Sequence, residues 1–288
     1  MKRLLLTLSL LTMIDLETAQ AIDVQGHRGA RAVLPENSLP ALEHALALGV
    51  DTLEFDTGVS KDGVVIVMHD QTINPVICQY KDGSEIENEL WLHQLTLAQI
   101  KEFDCGSKRN PRFDKQALAP GTEIPTLAEV FEMVKHSSHP TANSVRFNIE
   151  TKSNPDLPHA QSSAKEFVEA IATLVHQYGF ESRVILQSFD PATLIAAKEF
   201  APELQRSILL RHKPDDWVEA AEAVDADIIS PHHSVIDRGS VRAIQDAGLA
   251  VIPWTANSKR QWTRLIKLEV DGIITDDPEA LLTYLERK

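Results

Sequence analysis

Between Gln25 and Asp70 the chain reads QGHRGARAVLPENSLPALEHALALGVDTLEFDTGVSKDGVVIVMHD. Two histidines, His27 and His69, each close a short apolar run, and an acidic pair, Glu54 and Asp56, lies between them. In an extended strand side chains alternate faces, so Glu54 and Asp56 of TLEFDT project the same way, about 7 Å apart. Two carboxylates side by side on an otherwise apolar strand repel each other and resist desolvation. A bound cation relieves both costs, and hard oxygen ligands suit Mg²⁺ or Ca²⁺. Farther along, Glu150 and Lys152 repeat the i, i+2 spacing and put another acid and an ammonium on a shared face.

HRG, PENS, ExD, KDG and HD, in this order and spacing, resemble the N-terminal signature of the glycerophosphodiester phosphodiesterases. Those are metal-dependent (β/α)₈-barrel enzymes of the wider phosphatidylinositol phospholipase C-like group. The resemblance continues through IPTLAEVF (124–131), IETK (149–152), QSF (187–189), PWTAN (253–257) and TDDP (275–278), so it spans nearly all of the chain. It implies hydrolysis of a deacylated phospholipid to glycerol 3-phosphate and an alcohol. One divalent cation, Mg²⁺ or Ca²⁺, would sit on Glu54, Asp56 and Glu150. His27 and His69 would be the acid–base pair, since one proton must leave the attacking oxygen and another must reach the departing alkoxide. Arg28 and Lys152 would neutralise phosphate oxygens, and Phe189 with Trp254 would wall the glycerol or alcohol moiety. Gln187 would hydrogen-bond in the cavity or orient Glu150. Asp276, in Asp-Asp-Pro, reads as the cap of the last helix. Which histidine is the acid, and whether water or a substrate hydroxyl attacks first, stays open.

These residues need a scaffold that gathers them. Ile22–Gly26 reads as a buried strand ending at His27, Ser38–Leu48 as a helix stopped by Gly49, and Thr52–Thr57 as the next strand. The Ser60-Lys61-Asp62-Gly63 turn leads into Val64–Met68, which must run antiparallel to its predecessor. Residues 71–121 form a polar insertion, with one helical piece over Thr96–Phe103, expected to cap one end of the fold. Strands then alternate with helices: 145–151, 184–188, 207–210, 226–230, 250–254 and 272–275, with helices near 126–135, 163–178, 191–200, 216–223, 238–247, 258–268 and 278–287. With the hairpin arm set aside, eight strands remain. That alternation, without a glycine-rich first turn, predicts an α/β fold of the closed (β/α)₈ TIM-barrel type rather than an open sheet. Barrel active sites gather at the carboxyl ends of the strands. His27, Glu54, Asp56, Glu150, Lys152, Gln187, Trp254 and Asp276 all fall at or beside such ends, with His69 closing the arm next to Glu54.

Composition narrows the partners. Twenty-eight Lys and Arg against 42 Asp and Glu give a net charge of −14, which leaves no basic excess for nucleic acid. An anionic small molecule must be drawn by a local positive focus. Lys2 and Arg3, the apolar run 4–14 and Ala19-Gln20-Ala21 read as a signal peptide over residues 1–21, too short to span a bilayer. The remainder, 22–288, is then one exported barrel domain, periplasmic or secreted, with no stable membrane insertion. In that compartment Cys78 and Cys105 could pair, or stay as two thiols. His232-His233 would diverge in extended structure, and His136 and His139 lie in a polar loop. GxSxG, P-loop, HExxH and CxxC patterns are missing. Two other functions fit the same residues: a phospholipase D-like enzyme acting on lysophospholipids or sphingomyelin, and a non-catalytic phosphodiester-binding barrel.

Overall fold

A computed structural model describes residues 21–154 and 162–287; apart from Ala21, the stretch read as a signal peptide lies outside them. Eight strands lie parallel and side by side: β1 (Asp23–Gly26), β2 (Thr52–Val59), β6 (Arg146–Thr151), β7 (Val184–Ser188), β8 (Gln205–Leu210), β9 (Ile228–Pro231), β10 (Ala250–Val251) and β11 (Gly272–Thr275). Their order is β10-β9-β8-β7-β6-β2-β1-β11. The two ends meet, because Asp271 N–H donates to Val251 O and Ile274 N–H to Pro253 O, both at 3.0 Å. This is the expected barrel. β10 is shorter than the predicted 250–254 because Pro253 has no N–H for the ladder.

The hairpin arm β3 (Val65–Val67) pairs antiparallel with β2, Thr57 opposite Val67. Outside the barrel lie α1 (Leu39–Leu48), α3 (Leu127–His136), α4 (Ala164–Tyr178), α5 (Pro191–Phe200), α6 (Trp217–Glu222), α7 (Arg238–Asp246), α8 (Lys259–Leu268) and α9 (Pro278–Tyr284). Their starts follow local chemistry. Thr126 with Glu129, and Ser163 with Glu166, form reciprocal capping boxes that satisfy amides otherwise orphaned at a helix start.

Alternation along the strands separates two environments. Leu53, Phe55, Phe147 and Ile149 face the helices and join the main core, where Phe131 and Phe147 meet edge-on at 5.0 Å. Interleaved with them, Glu54, Asp56, Asn148 and Glu150 alternate to the opposite face, the barrel interior. Its lower part is filled by Ile185, Ile228, Ile252 and Ile274.

The insertion contains α2 (Leu97–Ile100) and a small sheet of β4 (Gln79–Tyr80) with β5 (Phe103–Asp104). The helix predicted over Thr96–Phe103 is therefore cut short. Phe103 is drawn away to pair with Tyr80, their rings 4.9 Å apart. Its side chain joins Ile73, Ile86, Leu92 and Ile100 in a separate core that packs on Ile66 and Met68 of the hairpin arm. Cys78 and Cys105 are joined by a disulfide within it. No helix among the described residues is long and apolar enough to cross a membrane.

Candidate active site

The HRG turn begins where β1 ends. Gly29 adopts φ +85°, and a Cβ there would lie 2.6 Å from the backbone carbon of Ala41, so only glycine fits against the start of α1. Arg28, itself at φ 51°, donates its backbone N–H to Glu54 Oε2 at 2.9 Å. The next loop supplies a second brace. Asn37 donates from Nδ2 to Asp56 Oδ2 at 2.9 Å and accepts the Asp56 N–H on Oδ1 at 3.2 Å. Glu36 lies 2.5 Å from Arg28 Nη1 and 3.2 Å from Arg31 Nη2. Sequence reasoning missed Glu36, Asn37 and Arg31 as site residues. Glu36 and Asn37 lie in the PENS motif, which carries the resemblance and otherwise reads as a loop and helix start; Arg31, two residues past HRG, has no motif of its own.

Strand register brings the acids together: Asp56 on β2 lies opposite Glu150 on β6, and Glu150 opposite Gln187 on β7. Oxygens of Glu54, Asp56 and Glu150 lie within 4.8 Å of one another. Their residues are only 1%, 0% and 6% exposed. Two cations partly balance this charge: Arg28 Nε is 3.0 Å from Asp56 Oδ2, and Lys152 Nζ is 2.7 Å from Glu150 Oε1 and 3.7 Å from Asp56 Oδ1. The balance is incomplete. Burial, then the charges of Asp56 and Glu150, push the Glu54 carboxyl well above the usual range. Burial also raises Glu150, with Lys152 opposing. Asp56 goes the other way: burial is outweighed by Arg28, His69 and Lys152, which hold it well below. Buried Asp56 Oδ1 accepts no hydrogen bond among the described residues. Excess negative charge, a bare oxygen and an all-oxygen donor set fit a hard divalent cation.

His27 and His69 border the same cavity of about 300 Å³ as Glu54 and Glu150. Each is held by a carboxylate: His27 Nδ1 is 2.5 Å from Asp276 Oδ1, and His69 Nδ1 is 2.6 Å from Asp70 Oδ1. The expectation that Asp276 caps the last helix is wrong by one residue. Asp277 is the cap, accepting from Ala280 N–H at 3.0 Å. Asp276 turns inward and is fixed by Asn257, whose Nδ2 donates to Oδ2 at 2.7 Å. Burial lowers the His27 imidazole below its ordinary value, with Asp276 pulling the other way. Asp276 itself is held below the carboxylate range: burial raises it, but His27 and Arg31 prevail. Both directions favour a neutral His27 whose Nδ1–H is donated to an ionised Asp276, which leaves Nε2 as the acceptor.

Phe189 and Trp254 meet edge-on with centroids 5.3 Å apart and line this cavity, and Trp254 Nε1 donates to Ser230 O at 2.8 Å. Gln187 also borders it, but its Oε1 accepts from Asn148 Nδ2 at 3.0 Å, and Glu150 takes its hydrogen bond from Lys152 instead. His232 and His233 do not diverge. Their rings lie 4.6 Å apart, because His233 N–H bonds Trp254 O and bends the chain after β9. His136 is exposed but ends α3 rather than lying in a loop, its Nδ1 3.0 Å from Glu132 Oε2.

A family model described as the glycerophosphoryl diester phosphodiesterase family matches residues 27–280. A glycerophosphodiester phosphodiesterase of Caldanaerobacter subterraneus subsp. tengcongensis is 32% identical over 265 residues, covering 92% of this chain and 98% of that protein. Among solved structures, a putative glycerophosphoryl diester phosphodiesterase from Silicibacter pomeroyi superposes with a TM-score of 0.85 at 29% identity, covering 93% of this chain and 95% of the other. An Oleispira antarctica phosphodiesterase, solved with the product sn-glycerol-3-phosphate, shares the fold at a TM-score of 0.76 and 24% identity, covering 92% and 96% of the two chains.

Proposed function

The chain belongs to the glycerophosphoryl diester phosphodiesterase family and hydrolyses glycerophosphodiesters, and on that premise we propose how its own residues divide the work. Glu54, Asp56 and Glu150 would hold one divalent cation, Mg²⁺ or Ca²⁺, which would supply Lewis acidity and charge neutralisation at the phosphate. The observation that carries this reading is the buried carboxylate cluster with two histidines lining the same cavity. His27, which lines the cavity with its Nδ1 engaged by Asp276, takes the proton of the attacking oxygen on Nε2. His69 delivers a proton to the departing alkoxide, so the P–O bond to the alcohol breaks without expelling a free alkoxide. Lys152 and Arg28, each within ion-pair distance of the acids, balance charge as the phosphoryl oxygens become more negative. Phe189 and Trp254 flank the organic part of the substrate.

We also propose export, for which the amino-terminal sequence pattern and the Cys78–Cys105 bridge are the support. Purified protein is expected to release glycerol 3-phosphate from a glycerophosphodiester, and a chelator to stop it until Mg²⁺ or Ca²⁺ is restored. His27→Ala and His69→Ala each lose about 10²-fold or more in kcat while staying folded. Full activity in either variant removes that histidine from its role.

A further inference from the structure

The cavity is lined by two cations beyond those that face its carboxylates. Arg28, Arg31 and Lys152 each face a carboxylate. Arg112, reaching over from the insertion, and Arg211, at the end of β8, border the same cavity and have no ion pair among the described residues. In a protein of net charge −14 two unpartnered guanidiniums on one opening are a local positive focus. Arg211 is also placed specifically. Its guanidinium carbon lies 5.5 Å from the centroid of Phe189 and 5.3 Å from that of Trp254. A quaternary ammonium group is recognised by aromatic faces; here those rings already carry a cation, and a second one would meet like charge.

Resting on the hydrolase reading above, we infer that Arg211, with Arg112 across the opening, selects glycerophosphodiesters whose alcohol bears its own anionic group and disfavours those whose alcohol is cationic. The planar guanidinium can hold two oxygens of a phosphate or carboxylate while its face stays on the rings.

Three substrates with one scissile bond and different alcohols test this: glycerophosphoglycerol carrying a terminal phosphate, glycerophosphoglycerol itself, and glycerophosphocholine. Diester cleavage is followed by phosphorus NMR. The expected order of kcat/KM is anionic, neutral, cationic, with the first exceeding the second by about tenfold, as a charge-assisted contact to phosphate gives. Arg211→Gln is expected to remove most of that ratio. If Arg211 merely packs the aromatic wall, the variant lowers all three substrates by one common factor, and the inference falls. An equal kcat/KM for the three in the unaltered enzyme also overturns it, while leaving the activity intact; no cleavage of any of them overturns the activity too. Should the variant fold poorly, salt decides. A ratio that shrinks as ionic strength rises supports charge selection, and one that is indifferent to salt refutes it.

Discussion

At the scale of single residues, the two histidines are made different by what surrounds them. Asp276 holds Nδ1 of His27, and burial shifts that ring toward its neutral form. Asp276→Asn replaces an obligate acceptor by an amide that can donate to Nδ1 and so protonate Nε2 instead, which removes the base. We expect kcat to fall about 10²–10⁴-fold while the protein stays folded. The pH profile should move as well. Asp276 raises the His27 value against burial, so without it the imidazole loses its proton at still lower pH. The acid limb of the residual activity then shifts downward. A limb that stays in place, or moves upward, would break the assignment of His27 as base. Arg28 and Asn37 show a related division of labour, their backbone and amide groups holding Glu54 and Asp56 in register.

At the scale of elements, the insertion is held by its own interactions rather than by the barrel alone. Asp104 at the end of β5 accepts from Gly106 N–H at 2.8 Å, Ser107 N–H at 3.1 Å and Gly121 N–H at 3.0 Å, and from the Ser107 hydroxyl at 2.5 Å. Burial raises its carboxyl, but these donors, Ser107 first, hold it below its ordinary value. A depressed folded-state value means stability that is complete above the unfolded value, about 3.9, and is lost as pH falls through the folded one. Asp104→Asn should therefore cost about 2 kcal/mol at neutral pH. The gap should narrow only below about pH 4. Chemical denaturation of both proteins at pH 7 and pH 3 measures it; an equal gap at both would show that the carboxylate charge is not what ties the loop.

At the scale of the molecule, the buried acids couple folding to the cation. Glu54 and Glu150 are raised in the folded state, so their contribution is fully present below the unfolded value, about 4.3, and is lost as pH rises through the folded values. Asp56 works in the opposite sense, and its stabilising share is complete by about pH 5. In chelator, the unfolding temperature is expected to drop between pH 5 and pH 8. Saturating Mg²⁺ or Ca²⁺ should abolish that drop, with a gain of about 2.7 kcal/mol at a hundredfold excess over Kd. Scanning calorimetry that shows one unfolding temperature with and without cation would remove the three acids as its ligands.

The amino-acid sequence alone determined that Glu54 and Asp56 share a face, that His27 and Glu150 end strands, and that strand–helix alternation closes a barrel, because periodicity and chain direction are local properties. Tertiary structure decided what depends on contacts between distant segments. Of two adjacent acids, Asp276 faces His27 and Asp277 caps α9 only because β11 lies in register beside β1, Gly26 opposite Thr275. Phe103 left its predicted helix because Tyr80 was there to pair with it. Arg211 stands over Phe189 and Trp254, far off in sequence, because β7, β8 and the chain after β10 end at the same rim. Burial and neighbouring charge likewise set which carboxyls keep a proton, and no spacing along the chain encodes either.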